Sequence, residues 1–259
     1  MTMKVVVKKA IGMAVAVMML LGAGKAVAAS DYDAMRLKAE RFFGYQEWGS
    51  ALAMYEVMLD MRPKDIPTYY LAIFAGGMLG NENQQMNFFE RTQKQGIALD
   101  SIFSGVRRVS FGNGEGDEYE KFLKLVRKRQ PWLSRGIDVY LLDYYSFRND
   151  AERMIELAER LLVDTPDNME YVRILAKAYM MASREAESVE CYKHILKAVP
   201  DDYDALLCLG VYYHNAIRSE SPLSAQDCAA LAEAYLAEAY RLRPTPYLAS
   251  LLASLRSNH

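Results

Sequence analysis

Three prolines set a beat in this chain. Pro131, Pro166 and Pro200 follow one another at 35 and 34 residues. Pro63 precedes Pro131 by 68, twice 34, and Pro244 follows Pro200 by 44, which is 34 with ten added. Proline ends a helix and biases the residue before it away from helical backbone, so evenly spaced prolines mark evenly spaced helix ends. A period near 34 with one skipped mark and one insertion indicates an array of helical hairpins, each burying its apolar face on its neighbours. Arrays of this kind present extended binding surfaces, which favours a binding protein over an enzyme.

The first segment reads as a secretory signal, residues 1–28, leaving 29–259 as the folded chain. Lys4, Lys8 and Lys9 precede an apolar run from Ala10 to Gly24, and Ala26-Val27-Ala28 supplies the small residues of a cleavage site. As a helix, 10–24 would reach about 22 Å, short of a ~30 Å hydrocarbon core, which favours cleavage over an uncleaved anchor. No cysteine follows the run to carry a lipid. The expectation is export to a bacterial periplasm, with secretion or N-terminal anchoring as alternatives and no membrane span once the signal is removed. Losing Lys4, Lys8, Lys9 and Lys25 reduces 31 basic residues to 27 against 33 acidic ones. A mildly acidic protein has no bulk electrostatic reason to hold nucleic acid or anionic lipid. The basic run Arg127-Lys128-Arg129 ends an expected helix, where cations suit the macrodipole.

Walking back from Pro200, the run from Met169 carries Val172, Leu175, Ala176 and Tyr179 at helix spacing. A break follows at Ser183-Arg184-Glu185, then Val189, Tyr192, Ile195 and Leu196 on a second stripe. A large residue, Leu175, small Ala176, Tyr179, small Ser188, Tyr192 and Pro200 in this order resemble the tetratricopeptide repeat. The same template fits Ala39, Phe42, Trp48, Ala51, Leu52, Tyr55, Leu59 and Pro63. It fits Leu141, Tyr145, Met154, Ala158, Leu161 and Pro166, with Leu142 where a small residue is usual, which suggests a splayed hairpin. It also fits Leu206, Leu209, Gly210, Tyr213, Ala232, Leu236, Ala239 and Pro244, around an extended loop of about ten extra residues near 218–227. Two further units are degenerate, with turns at Gly80-Asn81-Glu82-Asn83 and Gly112-Asn113-Gly114-Glu115-Gly116. The reading is an all-α, right-handed α-solenoid of six units, about 32–65, 66–99, 100–133, 135–168, 169–202 and 203–246. A capping helix at 247–256 closes it.

In proteins of this family the first helix of each unit lines a concave groove. The resemblance therefore implies partner-binding positions at Tyr70, Phe74 and Met78, at Arg108 and Phe111, and at Val139, Asp143 and Phe147. It continues with Arg173, Lys177, Met180 and Met181, and with Leu207, Val211, His214 and Asn215. Each apolar member could serve the groove or helix packing. A carboxylate clamp of the chaperone-binding type is disfavoured, because Asp204 and Cys208 stand where further donors would be needed.

Chemistry finds little support. Phe111-Gly-Asn-Gly-Glu-Gly116 lacks a preceding strand and a GK[ST] ending, so it reads as a turn rather than a phosphate loop. No C-x-x-C exists, His194, His214 and His259 lack ligand spacing, and no catalytic signature appears, so no metal, cofactor or enzyme is expected. Cys191, Cys208 and Cys228 read as buried thiols, with one bridge among them as the alternative. The leading expectation is a non-enzymatic scaffold for a protein or extended peptide. The rivals are a small-ligand receptor or enzyme with a pocket at the second and third units, near Phe88, Phe89 and Phe111, and a structural subunit of an oligomer.

Overall fold

The computed structural model describes residues 31–218 and 223–257. The expected signal lies outside them, as does part of the expected loop between 218 and 227. The described residues form helices joined by short turns and contain no strand. In chain order these are α1 (31–44), α2 (Trp48–Met61), α3 (Ile66–Met78), α4 (Glu82–Lys94), α5 (Leu99–Gly112) and α6 (Gly116–Arg129). A short 3-10 turn (Pro131–Leu133) precedes α7 (Ser134–Arg148), α8 (Ala151–Asp164), α9 (Met169–Met181), α10 (Glu185–Ala198), α11 (Tyr203–Ala216), α12 (Ala225–Leu242) and α13 (Pro246–Ser257). Successive pairs are the hairpins of an all-α helical solenoid. The chain divides into two compact units, one ending at Pro131 and the other beginning at Trp132.

One backbone device makes five hairpin turns. A residue with positive φ follows the first helix at Gln46 (59°), Gly80 (66°), Gly114 (77°), Asn149 (54°) and Ser183 (59°). The next N–H then reaches back five residues: Glu47 to Phe42 O, Asn81 to Gly76 O, Glu115 to Ser110 O, Asp150 to Tyr145 O and Arg184 to Tyr179 O, at 2.8–3.0 Å. These are left-handed helix caps that satisfy carbonyls left unpaired at the helix end. Several following helices are capped at their start by a short polar side chain. Asn81 accepts from Gln84 N, Asp150 from Arg153 N and Ser224 from Asp227 N. Where the beat skips its proline after α4, Gly96 (φ 68°) takes over, and Ile97 N bonds Thr92 O at 3.0 Å.

In the first unit the core holds two aromatic triads. Phe43, Trp48 and Phe74 lie 5.2–5.8 Å apart by ring centroid, and Phe89, Phe103 and Phe122 5.6–6.0 Å apart. Here α5 packs on α3, and α6 on both α3 and α4. Gly105 permits this approach: a Cβ there would stand 2.5 Å from Tyr70 Cγ, inside the ring's own volume. Between α3 and α4, buried Gln85 donates to Ile73 O at 3.0 Å.

In the second unit the corresponding bond between α9 and α10 is Ser188 Oγ to Ala176 O, 2.9 Å. Between α11 and α12 the small residue is Gly210, where a Cβ would meet Leu236 Cδ2 at 2.6 Å. Leu142 is buried with Met154 in the α7–α8 hairpin, so its bulk is absorbed into the core. Leu248, Leu252 and Leu255 of α13 complete the apolar cluster of α11 and α12.

Gly105→Ala and Gly210→Ala should each destabilise their unit by about 1–3 kcal/mol through overpacking. Gly49→Ala, on exposed backbone with nothing within 4 Å, should be neutral or stabilising by up to about 1 kcal/mol. Urea unfolding of the three variants measures this.

Candidate functional site

A cavity of about 290 Å³ opens between α1, α2 and the start of α3. Its apolar lining is Ala39, Tyr55 and Met58, all buried, with Pro67 and Leu71 on the α3 wall. Its polar lining is Tyr32, Asp33, Arg36, Glu40, Arg62, Asp65 and Thr68. The Tyr32 and Thr68 hydroxyls both donate to Oδ2 of Asp65. The Arg62 guanidinium lies over the Tyr32 ring, 3.6 Å from its centroid. Burial, followed by the bond to Asp65, raises the Tyr32 phenol above its ordinary value.

On its other side α3 meets α5 through Tyr70 and Arg108. Arg108 Nη2 donates to the Tyr70 hydroxyl at 3.0 Å, and its guanidinium stands 5.3 Å from the ring centroid. Tyr70 is partly buried and Arg108 exposed, so these two expected groove residues are brought together at the surface. Met78 is partly buried. Phe111 is partly buried against Gly116, with the Arg107 guanidinium 5.8 Å from its ring centroid. Phe74 corrects the groove assignment: it is 1% exposed, enclosed by Phe43 and Trp48.

In the second unit, α7 and α9 turn Val139, Asp143, Phe147, Lys177, Met180 and Met181 outward, with Phe147 61% exposed. Arg173 is a second correction. Its guanidinium is 2.5 Å from Asp202, the N-cap of α11, whose carboxylate also accepts from Ala205 N at 2.9 Å. The hydrogen bond to Asp202 raises the arginine's pKa, and its counterpart from Arg173 lowers that of the aspartate. Arg173 therefore ties α9 to α11 instead of offering its charge outward. His214 Nε2 is 2.9 Å from Ser254 Oγ on α13, which engages it in seating the closing helix, while Asn215 is exposed. Leu207 and Val211 pack against the α11–α13 cluster.

The expected rival pocket near Phe88, Phe89 and Phe111 is a different place from this cavity. Phe88 and Phe89 are fully buried, and the described cavity lies in the first hairpin and the start of the second. Sequence reasoning missed it because its chemistry comes from Tyr32 and Asp65, 33 residues apart. Their one visible signal is that both stand at helix starts one period apart. Cys191, Cys208 and Cys228 are free thiols. Burial, then the neighbouring Glu159, pushes the Cys191 thiol up to about 11, and His194 faces Asp167 at 3.8 Å. Among the described residues, no group of three or more His, Cys, Asp or Glu side chains is arranged to hold a metal ion. Nor is any described helix long and apolar enough to cross a membrane.

No protein-family model matches the sequence, and no curated protein matches it. Among solved structures, the chain is similar to the MamA protein at 13% identity, over 64% of this chain and 90% of that one, with a TM-score of 0.36. A TPR repeats protein from Bacteroides fragilis is similar at 15% identity over 88% and 99%, TM-score 0.38. The TPR2AB domain of yeast Sti1, in complex with pHSP90, is similar at 12% over 88% and 99%, TM-score 0.34.

Arg173→Ala should cost about 1 kcal/mol at neutral pH, a figure discounted for the 40% exposure of the arginine side chain. Because the Asp202 pKa is depressed in the fold, its contribution is present above the ordinary carboxylate value and lost as pH falls through the folded value. The gap between variant and wild type should therefore close in acid, as urea midpoints at several pH values would show. Cys191, the only thiol left in a Cys208→Ser, Cys228→Ser protein, should alkylate at pH 8 about a hundredfold more slowly folded than in urea.

Proposed function

We propose that this chain is a non-enzymatic scaffold that holds a protein or an extended peptide on the face built by α1, α3 and α5. The observation that carries the reading is that α3 joins two recognition elements. One is the half-apolar cavity against α1 and α2, and the other the partly buried Tyr70 paired with exposed Arg108 of α5. Tyrosine and arginine are the residue types that dominate binding energy at protein interfaces, and a buried pocket beside them suits a partner's anchor side chain. The outward Phe147, Met180, Met181 and Lys177 of the second unit offer a further surface of mixed apolar and cationic character. The signal-like composition of the first 28 residues supports proposing that this activity belongs to the bacterial envelope, most simply the periplasm.

Site-specific photocrosslinking tests the assignment. Benzoylphenylalanine in place of Tyr70 should capture envelope proteins, whereas the same group in place of Glu56, exposed on α2, should not. Tyr70→Ala with Arg108→Ala should weaken binding of the captured partner about tenfold. Equal capture at both positions would overturn the reading. Adducts composed only of this chain would replace it with the oligomeric subunit.

A further inference from the structure

The α1–α2–α3 cavity is biased by charge as well as by shape. Three carboxylates line it, Asp33, Glu40 and Asp65, against two guanidiniums, Arg36 and Arg62. Both cations are engaged. Arg62 is laid over the Tyr32 ring. Arg36 stands between Asp33 at 3.8 Å and Glu40 at 3.9 Å, close enough for charge attraction and too far for hydrogen bonds. The carboxylates are less fully used. Tyr32 and Thr68 both donate to Oδ2 of Asp65, leaving Oδ1 unclaimed by either. Asp33 and Glu40 side chains are 62% and 59% exposed, and both lie within ion-pair distance of Arg36.

We infer, resting on the scaffold reading above, that this cavity is an anchor pocket for a lysine or arginine side chain of the bound polypeptide. The aliphatic stem lies against Ala39, Met58, Pro67 and Leu71, and the cationic head reaches Glu40 and Oδ1 of Asp65. Long basic side chains carry an apolar stem beneath a charged tip, which matches an apolar floor beneath an acidic rim. A volume of about 290 Å³ is at the lower edge of small-molecule pockets and suits one long side chain. Arg36 acts as the resident competitor, pairing with the rim carboxylates until a ligand cation displaces it.

Capped tripeptides with a central arginine, norleucine or glutamate test this by amide chemical-shift titration of the mature protein. The arginine peptide should give saturable shifts confined to α1 and the start of α3, and bind at least about tenfold more tightly than the other two. Glu40→Gln, on exposed side-chain atoms, should weaken it, and Arg36→Ala should strengthen it by removing the competitor. Equal binding of norleucine, tighter binding of glutamate, weakening by Arg36→Ala, or no saturable shift for any peptide would overturn the inference. Crosslinking at Tyr70 without arginine-peptide binding would sink the pocket and leave the scaffold. Peptide binding without crosslinking would sink the scaffold alone.

Discussion

Close approach between helices is the constraint on which the rest of this structure depends. A helix can lie against a neighbour's backbone only where a side chain is missing or minimal. The chain meets that condition at Gly105 beneath Tyr70, at Gly210 beneath Leu236, and at Ala176 beside Ser188. At each of these joints the helices come near enough for a ring, a leucine or a hydroxyl to touch backbone. Dispersion contacts and one buried hydrogen bond then replace hydration. The repeated left-handed caps hold the hairpins at a common geometry, so that these contacts recur along the chain.

The candidate site follows from the same packing. Because α3 is shared between α1–α2 on one side and α5–α6 on the other, its residues divide by direction. Pro67, Thr68 and Leu71 wall the cavity, Phe74 fills the core, and Tyr70 lies on α5. Asp65, just before the start of α3, ties that helix to Tyr32 of α1 and fixes the cavity's polar end. The candidate site thus stands mostly on helices, whose backbone is fixed by packing, with Arg62 and Asp65 added from the short turn between α2 and α3.

The all-α hairpin architecture was legible because it rests on local rules: proline ends helices, apolar residues repeat at helical spacing, and glycine permits left-handed turns at Gly80 and Gly114. Gln46, Asn149 and Ser183 adopt the same turn without a glycine to announce it. The site was only partly legible. Tyr70 and Arg108, both expected at groove positions, lie against each other, a pairing the repeat register did not announce. Phe74 shares that register and is buried, because Phe43 and Trp48 of the preceding hairpin cover it, a contact no periodicity reveals. Arg173 is drawn away by Asp202, 29 residues on, and the cavity depends on a tyrosine–aspartate bond of similar reach. In each case the deciding partner is distant in sequence and its chemistry is ordinary. Gly105, a glycine inside a helical stretch, was the visible sign of the α3–α5 joint.

The nesting itself is open to direct observation by proton NMR. With the Tyr70 ring seated on Gly105, the Gly105 α-protons should be shifted well upfield by the ring current and should show strong nuclear Overhauser contacts to the ring protons. Ordinary glycine shifts without those contacts would mean that α3 and α5 do not meet there, and the packing from which the site is built would be wrong.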